Sequence, residues 1–472
     1  MWASHRLLTP LTLLALAYGA WRWALGTEMS SMAPLDAHLV HEYLACPSPS
    51  LAAPSLLPLV EAGVVIRSDS ITAARRHHMA LRKLPRIQIV NRSIYATCHS
   101  SDPGCASIHH ELRTLQLLLR VARLGDVDFL FDGGEQPCWN GLLGDRSSKR
   151  KAQKTPRPQY VGHSVPVVTH ETTSDRCDNI LAPPRALKAL PDGTHWLART
   201  DERPNEWAQR RNVAVWRGAG TARGRTFAAD GAPTSGRAKA VAFSKRRPDL
   251  LDARFAGRND DLQLSSKDRA RIRRLGWGAD GEGFLTWREL QAYRATLVLD
   301  GNTLPDRLPF AMFSMTAVLK QESTQREAWY AKLVPYVHYI PVRRDLSDLE
   351  GQLDWALQNA SRLEAIARNG AALAARWLSR RAQLCHWLAV LTGLASHTAK
   401  PVAPDPSARR FDERGSVLLG GAILHDPIAA EPATLRPQLT HRRPRLSDLG
   451  ALVDLRLTPC LDLVPKHLCL DV

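Results

Sequence analysis

Apolar positions along the chain fall into distinct regimes. Near the N-terminus a continuous run, Leu7 to Leu25, reads LLTPLTLLALAYGAWRWAL behind Arg6. Further on, Leu112, Leu115, Leu118 and Leu119 recur at helical spacing and predict a helix over Ile108–Leu124. It feeds the apolar strand Val127–Phe131, which ends in the turn Asp132–Pro137 (DGGEQP). Val165–Thr169 and Val213–Trp216 read as further strands. From Leu285 the order becomes regular: helix Arg288–Ala295, strand Thr296–Leu299, a loop from Asp300, helix Arg307–Met315, strand Ala317–Lys320. Helix Glu322–Leu333, strand Val337–Ile340 and a long helix Ser347–Leu378 complete the series. Helices alternating with short Val/Leu/Ile strands imply a parallel sheet covered on both faces. Ligands of such sheets sit beyond the carboxyl ends of the strands, so the loops opening at Asp132, Arg217 and Asp300 carry the interest.

Polar stretches set the division of the chain. Residues 27–75 read as a stem, 76–200 as a first Rossmann-like half, and 201–395 as a second half interrupted by an Arg- and Asp-rich insertion at 230–275. The basic, proline-bearing segment 144–158 reads as a solvated loop, and 396–472 as a Pro/Arg-rich tail without periodicity.

The N-terminal run has the length of a signal-peptide core from Leu7 to Tyr18, and Trp21 and Trp23 suit a membrane interface. A cleaved signal peptide and an uncleaved anchor both fit residues 1–26. The lack of a clear A-x-A cleavage site favours the anchor, a single-pass type II protein of the endoplasmic reticulum or Golgi lumen; cleavage would give a secreted one. The 8 cysteines form no CxxC pair or zinc-type spacing. Cys98 and Cys105 bracket a short turn-rich loop that a disulfide could close. Sequons at Asn91 and Asn359 agree with lumenal glycosylation.

Length and charge change the picture less. At 472 residues the chain is long enough for two or three domains, and 44% hydrophobic content excludes a mainly disordered protein. No second apolar run is long enough for a polytopic membrane protein. The net charge of +17 points to an anionic partner without choosing among nucleic acid, lipid and phosphorylated substrate.

Candidate chemistry clusters at the strand ends. Val215–Arg225 (VWRGAGTARGR) is a strand opening into a Gly-rich turn with three arginines. Backbone N–H groups approach phosphate oxygens where no Cβ intervenes, and guanidinium forks pair with them. No GK[ST] follows, so this is not a P-loop. Leu297–Leu308 (LVLDGNTLPDRL) ends a buried strand in Asp300-Gly301-Asn302, and Arg307 opens the next helix, where an anion would also meet the helix N-terminus. Asp132 and Glu135 offer carboxylates suited to a general base. Gly278–Leu290 is spaced like a calcium loop but carries Gly278 where the first carboxylate ligand is needed, so no metal site is expected.

Taken in order, these motifs resemble the capsule-associated-protein type of glycosyltransferase, family ninety, which includes the protein O-glucosyltransferase Rumi. The stretch Tyr293–Leu378, with VHYIPVRRDLSDL at Val337–Leu349, is similar to that family's C-terminal half. WRGAGTARGR resembles its (W/F)RG-S-T motif, VDFLFDGGEQP its strand ending in an acidic-x-Pro loop, and Val165–Pro183 the segment between. The likeness covers roughly residues 80–395. It implies a GT-B fold, an α/β architecture of two Rossmann-like halves with parallel sheets facing a central cleft. It further implies inverting transfer of glucose or xylose from UDP-glucose or UDP-xylose to a hydroxyl of a protein or glycan, with no cofactor or metal required. On the same resemblance Glu135 falls at the catalytic base, with Asp132 the alternative carboxylate. Arg225 and Arg307 fall at the diphosphate arginines, and Arg217, Gly218, Thr221, Asp300 and Gly301 line the donor loops. Cys98–Cys105 and Cys46–Cys385 match family disulfides.

Three positions depart from the family pattern: Glu135 replaces Asp, Pro305 a small Ser, and Ala219 a Ser. They keep open a second reading, a catalytically degenerate lumenal binding protein that retains the fold. A third, a polyanion-binding module, predicts salt-sensitive binding that survives loss of Arg225 and Arg307; the lumenal N-terminus argues against nucleic acid.

Overall fold

The computed structural model describes residues 64–97, 108–134, 165–172, 179–184, 206–256, 264–278 and 285–411, apart from His78, Arg223 and Thr286, with a few isolated residues outside those spans. Residues 1–26, the loop 144–158, Cys98, Cys105 and Glu135 lie outside them. The first half runs α1 (Ser68–His77), α2 (Met79–Lys83), β1 (Arg86–Val90), β2 (Ser93–Thr97), α3 (His109–Val121), β3 (Val127–Asp132), β4 (Val167–Thr169) and β5 (Ile180–Leu181). The second runs β6 (Arg211–Gly218), α4 (Gly236–Arg246), β7 (Leu251–Phe255), α5 (Ser266–Arg274), α6 (Trp287–Leu290), β8 (Tyr293–Val298), α7 (Arg307–Phe313), β9 (Ala317–Gln321), β10 (Ile340–Val342), α8 (Leu349–Gln358) and α9 (Ala360–Leu378). The chain then returns through α10 (Arg380–His397) and β11 (Arg409–Arg410).

The second sheet is parallel throughout, in the order β10-β9-β8-β6-β7. Its strands alternate with period two between two buried faces. Ala214, Trp216, Ala295, Leu297, Ala317 and Leu319 pack with α4 and α8 on one side. Val213, Val215, Val298 and Val318 pack with α7 and α9 on the other. The chain steps from β6 outward to β7, then crosses back to β8 and proceeds the opposite way. The order therefore reverses between β6 and β8, and their diverging connections leave a crevice at the carboxyl ends.

The first sheet has the order β11-β2-β1-β3-β4-β5, parallel only across β3, β4 and β5. Asn91 and Arg92, at φ 46° and 62°, form the two-residue turn of the β1–β2 hairpin, the geometry that matches strand twist. Together the halves make the α/β architecture expected, with a mixed first sheet where a parallel one was anticipated.

Several sequence expectations are corrected. Residues 230–275 are no insertion: they supply α4 and the edge strand β7, paired with β6 from Ala214↔Leu251 to Gly218↔Phe255. The supposed stem contributes Ile66 and Ile71 to the first core, both fully buried. No helix spans Glu322–Leu333, where only a 3₁₀ turn forms at Ala328–Lys332. The Ser323 hydroxyl takes the Gln325 N–H at 3.0 Å, and Arg326 exchanges backbone hydrogen bonds of 2.9 Å with Thr172 of the first half. These amides are therefore spent outside a helix. The long helix Ser347–Leu378 breaks at Asn359, whose Nδ2 donates to Trp355 O at 2.7 Å. Strand pairing begins at Tyr293, inside the helix anticipated over Arg288–Ala295.

The expected tail also opens within the fold. Thr398 bridges Ile66, and β11 pairs with β2. Asp405 completes a buried cluster: Arg86, 2% exposed, donates to Asp128 at 2.6 and 2.8 Å and to Asp405 at 2.8 Å. Gln88 joins both carboxylate residues, giving Nε2 to Asp128 at 2.9 Å and accepting the Asp405 N–H at 2.7 Å. Such a charge is tolerable inside only because its donors are all met.

α10 crosses from the second half to the first, where Leu384, Trp387, Leu388, Leu391 and Leu394 enter the first core. Cys385 on α10 is disulfide-bonded to Cys46. On the next turn-face His386 gives its Nε2–H to Leu181 O at 2.6 Å. Burial lowers this imidazole to about 4, against the pull of the Leu181 carbonyl and with the help of His170.

This sets a pH dependence. Between pH 6.5 and about 4 the unfolded chain binds a proton at His386 that the folded chain refuses, so stability is lost as pH falls through that window. We expect about 3 kcal/mol of unfolding free energy to disappear there, measured by denaturant titration. His386→Gln should flatten that part of the profile; an unchanged slope in the variant would assign the loss elsewhere.

Candidate functional site

The crevice between β6 and β8 brings together two loops that the sequence keeps some eighty residues apart. At the end of β6 the period-two alternation sends Trp216 into the core, 1% exposed, with its ring edge-on to Phe255 at 5.9 Å. Two guanidinium carbons lie 5.8 Å from its ring centroid, those of Arg237 and Arg307. Arg237 comes from the first turn of α4, started by Ser235, whose side chain accepts the Ala238 N–H at 3.2 Å. Arg307 opens α7 after the loop from Asp300.

Arg237 stitches the loops together. Its Nη1 donates to Ala219 O at 2.8 Å and to the Thr221 hydroxyl, and its Nε to Asp300 O at 3.1 Å. Arg307 donates to Arg217 O. Two glycines make this closeness geometrically feasible. A Cβ on Gly218 would lie 2.8 Å from Trp216 Cζ2 and 3.0 Å from Arg307 Nη2. One on Gly301 would lie 2.7 Å from Arg237 Nη2 and 2.8 Å from Thr221 Oγ1. The Asp300 N–H is held at 3.1 Å by Gln321 Oε1 at the end of β9, and Gln321 in turn donates to Arg344 O at 2.6 Å.

The electrostatics are unbalanced. Burial lowers Arg237 to about 9, with the neighbouring Arg307 charge adding to the effect and Asp300 opposing it. Burial lowers Arg307 to about 10, opposed by Asp306. Among the described residues neither guanidinium makes an ion pair. Their partners are carbonyls and a hydroxyl, which orient a cation without neutralising it. An anion with several oxygens would supply the missing charge and take bidentate hydrogen bonds.

The structure thus brings Gly218, Thr221, Asp300, Gly301 and Arg307 together at the crevice, and places Arg217 and Arg225 elsewhere. Arg217 turns away: its guanidinium donates to Asp252 Oδ2 at 2.9 Å and Asp252 O at 2.7 Å. Burial works to raise that carboxyl, but Arg217 and the Tyr293 hydroxyl more than offset it and hold it low. Arg225 is exposed, with only its carbonyl engaged, by Thr234 at 2.6 Å. Arg237 occupies the crevice instead. It escaped sequence reading because it sits in a stretch whose charge looks solvated; the signal was Ser235 capping a run with Ala238 and Val241 at helical spacing. α7 runs only from Arg307 to Phe313, so the cationic character rests on the side chains rather than on a helix terminus.

Across the cleft, Asp132 is buried at the end of β3, and its Oδ1 accepts the Gly134 N–H at 2.8 Å. This folds the start of the loop in which Glu135 lies, outside the described residues. The sequons Asn91 and Asn359 are both exposed. Among the described residues no group of three or more His, Cys, Asp or Glu side chains is placed to hold a metal ion, and no helix is long and apolar enough to cross a membrane.

Comparison with known proteins agrees with this geometry. The model of Glycosyl transferase family 90 matches residues 59–411. Protein O-glucosyltransferase 3 of Rattus norvegicus is 26% identical over 303 residues, 62% of this chain and 52% of that protein. Protein O-glucosyltransferase 3 of Homo sapiens is 24% identical over 401 residues, 80% of this chain and 71% of its own length. Protein O-glucosyltransferase 2 of Danio rerio is 21% identical over 370 residues, 74% of this chain and 65% of its own. The match to the rat protein thus spans about half of that relative's length.

Removal of each cation should separate its roles. Arg307→Met deletes a charged group that makes no ion pair among the described residues and donates to Arg217 O, and should leave the unliganded unfolding free energy within ~1 kcal/mol of wild type or above it. Arg237→Met strips the Ala219 and Asp300 carbonyls and the Thr221 hydroxyl of their donor, and should cost about 1–3 kcal/mol. Equal losses in chemical denaturation would mean that both arginines are structural.

Proposed function

The chain belongs to glycosyl transferase family 90, and from that premise we propose that it moves glucose or xylose from UDP-glucose or UDP-xylose to a hydroxyl of a protein or glycan acceptor, with inversion. The observation that carries this reading is the pair of guanidiniums at the β6–β8 reversal, tied to glycine-lined loops and, among the described residues, without an ion pair. Arg237 and Arg307 would hold the diphosphate, while Gly218 and Gly301 let backbone and oxygens approach.

In the proposed reaction a carboxylate takes the proton of the acceptor hydroxyl as its oxygen forms a bond to the anomeric carbon. The bond from that carbon to the UDP oxygen breaks on the opposite face, and the departing diphosphate keeps the electron pair. Charge builds on the diphosphate in the transition state, where the two guanidiniums are already aimed. Glu135 is the proposed base. Asp132, whose Oδ1 is committed to its own turn, is the weaker choice. This scheme assigns charge neutralisation to guanidiniums rather than to a divalent ion.

We further take residues 1–26 to direct the chain into the secretory pathway, as an anchor or a cleaved leader. The exposed Asn91 and Asn359, in that lumenal setting, accept glycans. The protein's partners are then the UDP-sugar, the acceptor, and the membrane through its N-terminal segment.

A thermal-shift comparison of UDP, UDP-glucose, UDP-xylose and GDP tests the donor site. UDP compounds at a hundred times Kd should add about 2.7 kcal/mol to stability, lost in Arg307→Ala and Arg237→Ala but retained in Arg225→Ala. Glu135→Gln should keep the shift and lose transfer. A shift with no transfer to any acceptor would favour the degenerate binding protein; no shift from any nucleotide would sink the donor reading.

A further inference from the structure

The donor loop between β8 and α7 is held from outside its own half. Glu171 follows β4 in the first half, and its carboxylate, 6% exposed, accepts the hydroxyl hydrogen of Thr303 in that loop. The delivering backbone is tightly fixed. The Thr169 hydroxyl donates to Glu171 O at 2.8 Å, and the two ring nitrogens of His170 sit at 2.9 Å from Glu111 Oε1 and 2.6 Å from Pro183 O. Next to it, Thr172 and Arg326 exchange two backbone hydrogen bonds of 2.9 Å, a rung of antiparallel ladder across the halves. On the receiving side Thr303 O accepts the Gly301 N–H at 3.0 Å, so a pull on Thr303 reaches the glycine against which Arg237 packs.

Glu171 also faces the region around Asp300. Burial first, and then the charges of Glu327, Asp300, Glu171 and Asp306, hold the Tyr330 phenol well above its ordinary value.

We propose that Glu171 is a positioning residue for the donor, acting through Thr303 to set the Asp300–Asp306 loop from the opposite half of the molecule. It rests on the donor-site reading above for its kinetic consequence, although its structural part stands without any donor. A loop gripped from both sides presents Gly301 and Arg307 in one arrangement, so binding does not have to order it; releasing the grip raises the donor requirement and leaves the chemical step alone. Serine keeps the hydroxyl that donates to the carboxylate, whereas valine keeps the shape of threonine and loses the donor.

The experiment uses the full chain with Glu171→Ala, Glu171→Gln, Thr303→Val, Thr303→Ser and the double variant Glu171→Ala/Thr303→Val. Two readouts are taken: amide hydrogen exchange of residues 300–306 without ligand, and kcat and KM for the UDP-sugar. Glu171→Ala and Thr303→Val should each speed exchange in that loop and raise the donor KM about tenfold, with kcat within about twofold. The double variant should be no worse than either single one, and Thr303→Ser should behave as wild type. Additive losses, or wild-type exchange in Glu171→Ala, would overturn the coupling. So would a hundredfold fall in kcat at unchanged KM in a Glu171→Gln protein, which would make the carboxylate a direct proton acceptor. If wild type shows no donor turnover while exchange still responds as expected, the donor reading fails and the coupling survives.

Discussion

Two guanidiniums held against one indole, with no ion pair to either among the described residues, are the constraint around which the second half is arranged. Like charges this deep are costly, and everything nearby reduces the cost without removing it. Trp216 offers its π face to both. The carbonyls of Arg217, Ala219 and Asp300 turn their negative ends inward. The reversal of strand order makes room for this, because only there do two neighbouring loops leave the sheet in opposite directions. Gly218 and Gly301 follow as necessities, since any Cβ would displace a guanidinium or the indole beneath. On the proposed reading, the stability that these two cations withhold is what a multiply charged donor would recover on binding.

The two halves are held in register by elements of different kinds. α10 carries an apolar face into the first core and is tied there by the Cys46–Cys385 disulfide. The Arg86 cluster fixes the segment after α10 to the first sheet through Asp405. Nearer the cleft the described links include the Thr172–Arg326 rung and the Glu171–Thr303 bond, beside which Leu181 packs on the second half's core. A broad apolar contact far from the chemistry sets overall placement, and directional bonds close to it set detail. Hydrogen bonds suit the second task because they weaken steeply with misalignment.

Much of this was legible along the chain. Period-two apolar runs located β3, β6, β8 and β9 within a few residues, and glycine beside arginine at two strand ends marked the crevice. In the stretch 230–275 charged composition masks the spacing of the apolar positions. Residues 230–275 are rich in charge, yet Leu251, Ala253 and Phe255 alternate into the core while Arg254 points out. Arg237 was hidden by the same charge. Arg217 and Arg225 were chosen because they stand in the motif, but a strand residue's side is fixed by parity, and Arg217 falls on the face where Asp252 of the next strand waits. The helix anticipated at Glu322–Leu333 could not be excluded locally, because what prevents it is a pairing with Thr172, some 150 residues earlier in the chain.

The route of the chain through its own first core carries a consequence for biosynthesis. That core is finished by α10 and β11, which lie beyond the whole second half in sequence. On a ribosome adding about 5–20 residues per second, the second half can emerge and collapse as a unit while the first waits for tens of seconds with one face of its sheet uncovered. During that interval the nascent chain lacks the cover that α10 gives β3, where Trp387 packs on Phe131 with ring centroids 6.4 Å apart, and that apolar surface is open to a chaperone. Emergence of α10 and β11, rather than of any segment of the first half itself, is then the event that completes the first core.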